Sequence, residues 1–172
     1  DGFTLGTQQN VNASASGDNS FVAWNWKKTA DAGFDIVSYT GNGSARTISH
    51  SLSAVPEWII VKNRDEAEPW TIYHHKNTSA PATDYLSLND THATTDSNTR
   101  WNDTAPTSSV FTVGTSDVVN KNTIKYIAYL FAEKKGYSKF GKFIGNGSTD
   151  GTFIYTGFKP AWILVKNTEI TE

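Results

Sequence analysis

The sequence predicts an all-β fold, an antiparallel β-sandwich or jelly-roll, and three observations carry that prediction. Aromatic residues make up 13% of the chain and hydrophobic residues 37%, and Phe, Tyr and Trp favour strands and bury large areas. Short apolar runs with period-two alternation are separated by clusters of Ser, Thr, Asn, Asp and Gly, which is turn chemistry. No 3.6-residue amphipathic stretch of useful length occurs; residues 27–32 suffice for one helical turn at most.

Taken in order, residues 21–27 (FVAWNWK) set Val22, Trp24 and Trp26 on one face of a strand and Phe21, Ala23 and Asn25 on the other. Asn42-Gly43 and Asn146-Gly147 sit between apolar segments, the pattern of a tight hairpin turn whose two residues both take positive φ. WIIVK (58–62) and WILVK (162–166) each follow a proline, which can open a strand but not sit centrally in one. Further strands are expected at 70–75, 85–88, 110–113 and 152–155.

The chain also matches itself, and that decides its organisation. GFDIVSYTGNGS (33–44) corresponds to GYSKFGKFIGNGS (136–148), and VPEWIIVKN (55–63) to KPAWILVKN (159–167). Trp58 and Trp162 lie 104 residues apart, as do Lys62 and Lys166. GFTLGTQQNVN (2–12) corresponds to VFTVGTSDVVN (110–120), and FVAWNWK (21–27) to YIAYLFA (126–132). One order of parts accommodates all four matches: an incomplete tandem repeat with a unit of about 104 residues. Residues 1–32 are the back part of one unit, 33–135 a complete unit, and 136–172 the front part of a third. A middle section, 70–108, occurs once. The alternative is one domain with an internal pseudo-duplication.

Composition narrows the function classes. A net charge of −2 lacks the basic stripe that a nucleic-acid partner requires. No apolar run reaches the roughly 20 residues of a membrane-crossing helix, so membrane insertion is not expected. Cysteine is absent, so disulfides and thiol chemistry do not enter. Methionine is absent too, and a first residue Asp1 leads us to expect a processed product or a window of something longer.

Catalytic signatures are missing: no Gly-x-Ser-x-Gly, His-Glu-x-x-His or Walker loop occurs, and the GNGS turns have no following helix to hold a phosphate. The expectation is therefore no enzyme, no catalytic residues and no cofactor. Of the histidines His50, His74, His75 and His92, the adjacent pair should point to opposite faces of a strand, and no metal site is expected. Asp84, Asp90, Asp96 and Asp103 lie in the polar middle section without the spacing of a calcium loop; solvated Asx turns are the simpler reading.

Trp24, Trp26, Trp58 and Trp162 lie in matched strands and read as packing residues. Trp70 and Trp101, in the unmatched section, also read first as packing residues; the alternative is that, with His74, they face a sugar ring. Asn12, Asn42, Asn77, Asn89, Asn102 and Asn146 head Asn-x-Ser/Thr triplets open to N-glycosylation in a secreting eukaryote.

The ordered set GFDIVSYTGNGS, VPEWIIVKNR, WNDTAPTSSVFTVG, YIAYLFAE and GYSKFGKFIGNGSTDGTFIYTGFKPAWILVKN covers most of the chain. It resembles a tandem repeat domain of uncharacterised function found in large tail-fibre and virion structural proteins of environmental bacteriophages. That resemblance implies a β-rich structural or adhesive role and supplies no catalytic residues. The resulting expectation is a structural subunit or repeat segment of an extracellular or virion-surface fibre, with copies of itself or adjacent repeats as partners. Incomplete ends would join head-to-tail by packing or strand complementation, through Phe3, Val22, Trp24, Trp26, Phe153, Tyr155, Trp162 and Leu164. The alternative is a carbohydrate-binding adhesion or receptor-recognition module that meets cell-surface glycans through Trp70, His74 and Trp101.

Overall fold

The computed structural model describes residues 2–12 and 20–169. Its strands are β1 (Phe34–Thr40), β2 (Arg46–Ser49), β3 (Trp58–Asn63), β4 (Thr71–His74), β5 (Asp84–Ser87), β6 (Thr95–Asp96), β7 (Val110–Val113) and β8 (Lys125–Phe131). Three single helical turns, α1 (Gln9–Asn12), α2 (Asn98–Trp101) and α3 (Asp117–Asn120), and a 3-10 turn at Ala30–Ala32 complete the described elements. The fold is all-β. A six-stranded antiparallel sheet in the order β1-β8-β3-β4-β5-β6 lies against a two-stranded antiparallel sheet of β2 and β7.

Period-two alternation decides which side chains meet between the sheets. In β8, Tyr126, Ala128 and Leu130 are fully buried, while Ile127, Tyr129 and Phe131 point to the outer face. In β3, Ile59 and Val61 join that inner core with Ile48 of β2 and Phe111 and Val113 of β7. Trp58 and Ile60 face outward instead, beside Ile72, Leu86, Tyr129, Phe131 and Phe140. The large sheet is therefore apolar on both faces. β8, last along the chain, is inserted between β1 and β3, with Phe131 opposite both Phe34 and Trp58.

The 3-10 turn at Ala30–Ala32 meets the expectation of one turn in 27–32; the Thr29 hydroxyl caps it and Gly33 ends it at φ 68°. The strands expected at 58–62, 70–75, 85–88 and 110–113 are present as β3, β4, β5 and β7. Asn42-Gly43 is not a hairpin turn. β1 and β2, on either side of it, belong to different sheets, and only Gly43 of the pair takes a positive φ (73°). The chain changes layers at that corner, where Asn42 Oδ1 accepts from the Ser44 N–H (3.0 Å).

The strands expected at 21–27, 152–155 and 162–166 are not formed, although those residues are described. Their counterparts explain why. β8 needs β1 and β3 beside it and β2 needs β7, so a strand of each kind is held only by partners distant along the chain. Without such a ladder the described residues before Lys28 and after Phe140 remain as two largely exposed arms.

Candidate assembly interface

Apolar exposure is concentrated on the arms. Of the 18 exposed large hydrophobic residues among those described, Val55 is the sole one lying between Thr29 and Lys135. All eight residues expected at an assembly surface are among them, from Trp26 at 42% exposed to Phe153 at 85%. Large exposed apolar patches mark interaction sites, and the arms are where the described residues carry their exposed apolar side chains.

The arms are anchored where they leave the sheet. Lys28 Nζ, at the end of the N-terminal arm, contacts Asp35 Oδ1 and the Ile36 carbonyl, both at 2.8 Å. Asp35 is buried and also accepts from the Ser51 N–H (2.7 Å), the Ser51 hydroxyl (2.8 Å) and the Ile36 N–H (2.8 Å). Burial pushes its carboxyl up, but the hydrogen bonds from Lys28, Ser51 and Ile36 outweigh that and hold it below the usual carboxylate value.

The C-terminal arm crosses the outer face of the large sheet. Phe140 accepts a contact from His75 Nε2 at 3.0 Å through its carbonyl, and its ring lies 6.0 Å from Trp58. Trp162 sits 6.5 Å from Trp58, and further along Lys166 Nζ donates to the Asp90 carbonyl (2.6 Å). The Thr168 carbonyl accepts from the Thr94 N–H (2.9 Å). Trp26 of the other arm reaches the same face, 6.2 Å from Phe34 and Phe131 and 5.8 Å from Trp162, edge-on to both Phe131 and Trp162.

Positions matched in the sequence share local geometry. Asn120 Nδ2 donates to the Gly114 carbonyl (2.8 Å) beside α3, and Asn12 Nδ2 donates to the Gly6 carbonyl (2.7 Å) beside α1. The Asx turn at Asn42 recurs at Asn146, whose Oδ1 accepts from the Ser148 N–H (3.1 Å), with Gly147 at φ 66°. Asn63 Oδ1 accepts from the Asp65 N–H (2.9 Å), as Asn167 Oδ1 does from Glu169 (3.0 Å). By sequence match the stacked pair Trp58–Phe131, centroids 4.6 Å apart, corresponds to Trp162–Trp26, which instead meets edge-on at 5.8 Å.

The chain matches, over residues 1–172, the family described as "Domain of unknown function (DUF7483)". It belongs to that family. No curated protein and no solved structure matches it.

The remaining sequence-derived candidates separate within this family member. Trp101 is 2% exposed, its Nε1 donates to the Asp84 carbonyl (3.1 Å), and Tyr73 covers it edge-on at 6.1 Å, so neither ring face is open to a sugar. Trp70 is half-buried and stacked on Tyr129 at 6.4 Å. His74 and His75 do not point to opposite faces. β4 ends at His74, so His75 has left the pleat and its ring lies 5.4 Å from that of His74. Burial, and then the neighbouring imidazole, pushes His74 down to about 4. Among the described residues no cluster of His, Cys, Asp or Glu could hold a metal ion.

Asn12, Asn42, Asn89, Asn102 and Asn146 are exposed. Asn77 is buried to 7% exposure with its Nδ2 enclosed, which leaves no room there for a glycan. Sequence reading missed Asn120 and Asp35, which tie turns to strands. The one signal for Asn120 was its match to Asn12.

Proposed function

We propose that this chain is a structural subunit or repeat segment of an extracellular or virion-surface fibre, of the phage tail-fibre kind, joined head-to-tail through its two arms. The observation that carries this reading is the distribution of apolar surface: the central unit closes its own core, while both arms expose theirs. Each fully buried aliphatic or aromatic side chain is worth roughly 1.5–3 kcal/mol. The exposed set of Trp, Phe, Tyr, Ile, Leu and Val thus represents a large driving force that the chain's own fold leaves unused. A contact between the front arm of one unit and the back arm of the next is heterologous and does not close, so it propagates as a row. The partner is a copy of this chain or an adjacent repeat of a longer one. The middle section, 70–108, which has no counterpart in the arms, contributes β4, β5, β6 and α2. Those strands form one end of the large sheet, and β1-β8-β3 the other.

The test is light scattering with negative-stain electron microscopy on the 172-residue chain across a concentration series. Continuous rows with a subunit repeat are expected. A monodisperse monomer at every concentration overturns the assignment.

A further inference from the structure

Resting on that reading, we infer that residues 21–27 of one copy insert as a central strand between residues 137–144 and 162–167 of the next copy. The central unit supplies the template. There β8 lies between β1 and β3, and β2 pairs with β7. By sequence match the C-terminal arm carries the counterparts of β1, β2 and β3, and the N-terminal arm those of β7, α3 and β8. Each arm holds what the other lacks. The front arm has both flanking strands of the large sheet with the slot between them empty, and the back arm has the strand that fills it.

The register follows from the template. Phe131 opposite Trp58, Tyr129 opposite Ile60 and Ala128 opposite Val61 translate to Trp26 opposite Trp162, Trp24 opposite Leu164 and Ala23 opposite Val165. On the other side, Tyr126 opposite Tyr39 translates to Phe21 opposite Phe143.

The glycines argue independently that the arms are shaped for such packing. A Cβ at Gly33, Gly41 or Gly114 would collide with the backbone carbonyl of Ala132, Lys121 or Thr99. The matched arm glycines Gly136, Gly145 and Gly6 have no heavy atom within 4 Å of a Cβ. Gly136 is also called for by its own φ of 75°, but Gly145 and Gly6 lack a side chain where only a completed unit would demand it. The occupant is a second copy because the N-terminal arm carries the strand that matches β8, and among the described residues the two arms of one chain, though Trp26 and Trp162 touch, form no ladder.

Disulfide trapping tests this, since the chain contains no cysteine. Register partners across an antiparallel pair have Cα atoms roughly 4.5–5.5 Å apart, within disulfide reach. Chains carrying Ala23→Cys are mixed with chains carrying Val165→Cys, and in parallel with chains carrying Leu164→Cys, whose side chain would point to the opposite face. Covalent heterodimers are expected with Val165→Cys at about tenfold the yield seen with Leu164→Cys, and a ladder of multimers from the Ala23→Cys/Val165→Cys double variant. Rows by microscopy without preference for Val165 overturn the register and leave the fibre reading standing. A double variant that links within single chains and stays monomeric overturns the second copy as occupant. Neither rows nor links overturns this inference and the fibre reading together.

Discussion

Replacing Asn120 by alanine removes a side chain that staples two separate turns through three hydrogen bonds. Asn120 is fully buried; its Nδ2 donates to the carbonyls of Ser44 (2.7 Å) and Gly114 (2.8 Å), and its Oδ1 accepts from the Asn42 N–H (3.1 Å). These bonds hold the β1–β2 corner against the turn between β7 and α3. At about 1 kcal/mol net for each of the three bonds, Asn120→Ala costs about 3 kcal/mol. The melting temperature should fall by about 12 °C, at roughly 4 °C per kcal/mol for a unit near this size. Urea titration of the isolated chain is the direct assay, read as a lower midpoint at unchanged m-value. Asn12→Ala is the internal control. It occupies the matched position and makes the matched bond to Gly6, but in solvent, so its cost stays within about 0.5 kcal/mol. An Asn120→Ala chain as stable as the parent would refute the staple. Equal losses at the two positions would refute the claim that burial, and not the local turn, sets the value of this asparagine.

Three other outcomes are expected. Asp35 has a lowered pKa in the folded chain, so its stabilisation is fully present above the ordinary carboxylate value of 3.8 and is lost as pH falls through the lower folded value. A stability profile between pH 2 and 6 should show that loss below about pH 4, and Asp35→Asn should flatten it. Trp101→Phe keeps most of the packing but leaves the buried Asp84 carbonyl without its donor, for about 1–3 kcal/mol, whereas Trp101→Ala costs about 3–5 kcal/mol by chemical denaturation. Gly33→Ala collides with the Ala132 carbonyl and should prevent cooperative folding. Gly136→Ala, at a similar φ of 75° but in open space, costs only the left-handed strain of about 1–2 kcal/mol, readable by thermal melting.

The class of fold was legible because its signal is local. Alternation in KYIAYLF and the apolar run WIIVKN specify half-buried and doubly buried strands whatever their neighbours. Pairing was not legible. Asn42-Gly43 carries the chemistry of a hairpin, yet the residues after it join β7, some sixty positions onward, because Ile48 packs between the sheets opposite Phe111. Local turn preference was overruled by tertiary burial. The arms failed as strands for the complementary reason: their sequence has strand character, but strand formation depends on a ladder partner that period and propensity do not encode. On the arms, all eight residues singled out from the sequence are exposed, and all but Tyr155, which matches Ser51 beyond β2, correspond to strand positions between residues 33 and 135. Trp101 is buried, as its packing reading expected, but the elements that bury it, α2 against β5 and β7, could not be read from a polar section of sequence.

The placement of β8 has a consequence for synthesis. The strand made last occupies an interior position of its sheet, so β1 and β3 emerge from the ribosome with a vacant track between them and cannot be joined until residue 131 is out. Closure waits on contacts nearly a hundred positions apart, which places folding on the slow, non-local side of the range for single domains. During that wait, any nascent strand of the same pattern competes for the vacancy. A polypeptide that strings such units together therefore faces cross-pairing between neighbours as its intrinsic folding hazard, and divergence between successive copies of β8 is the means by which sequence can suppress it.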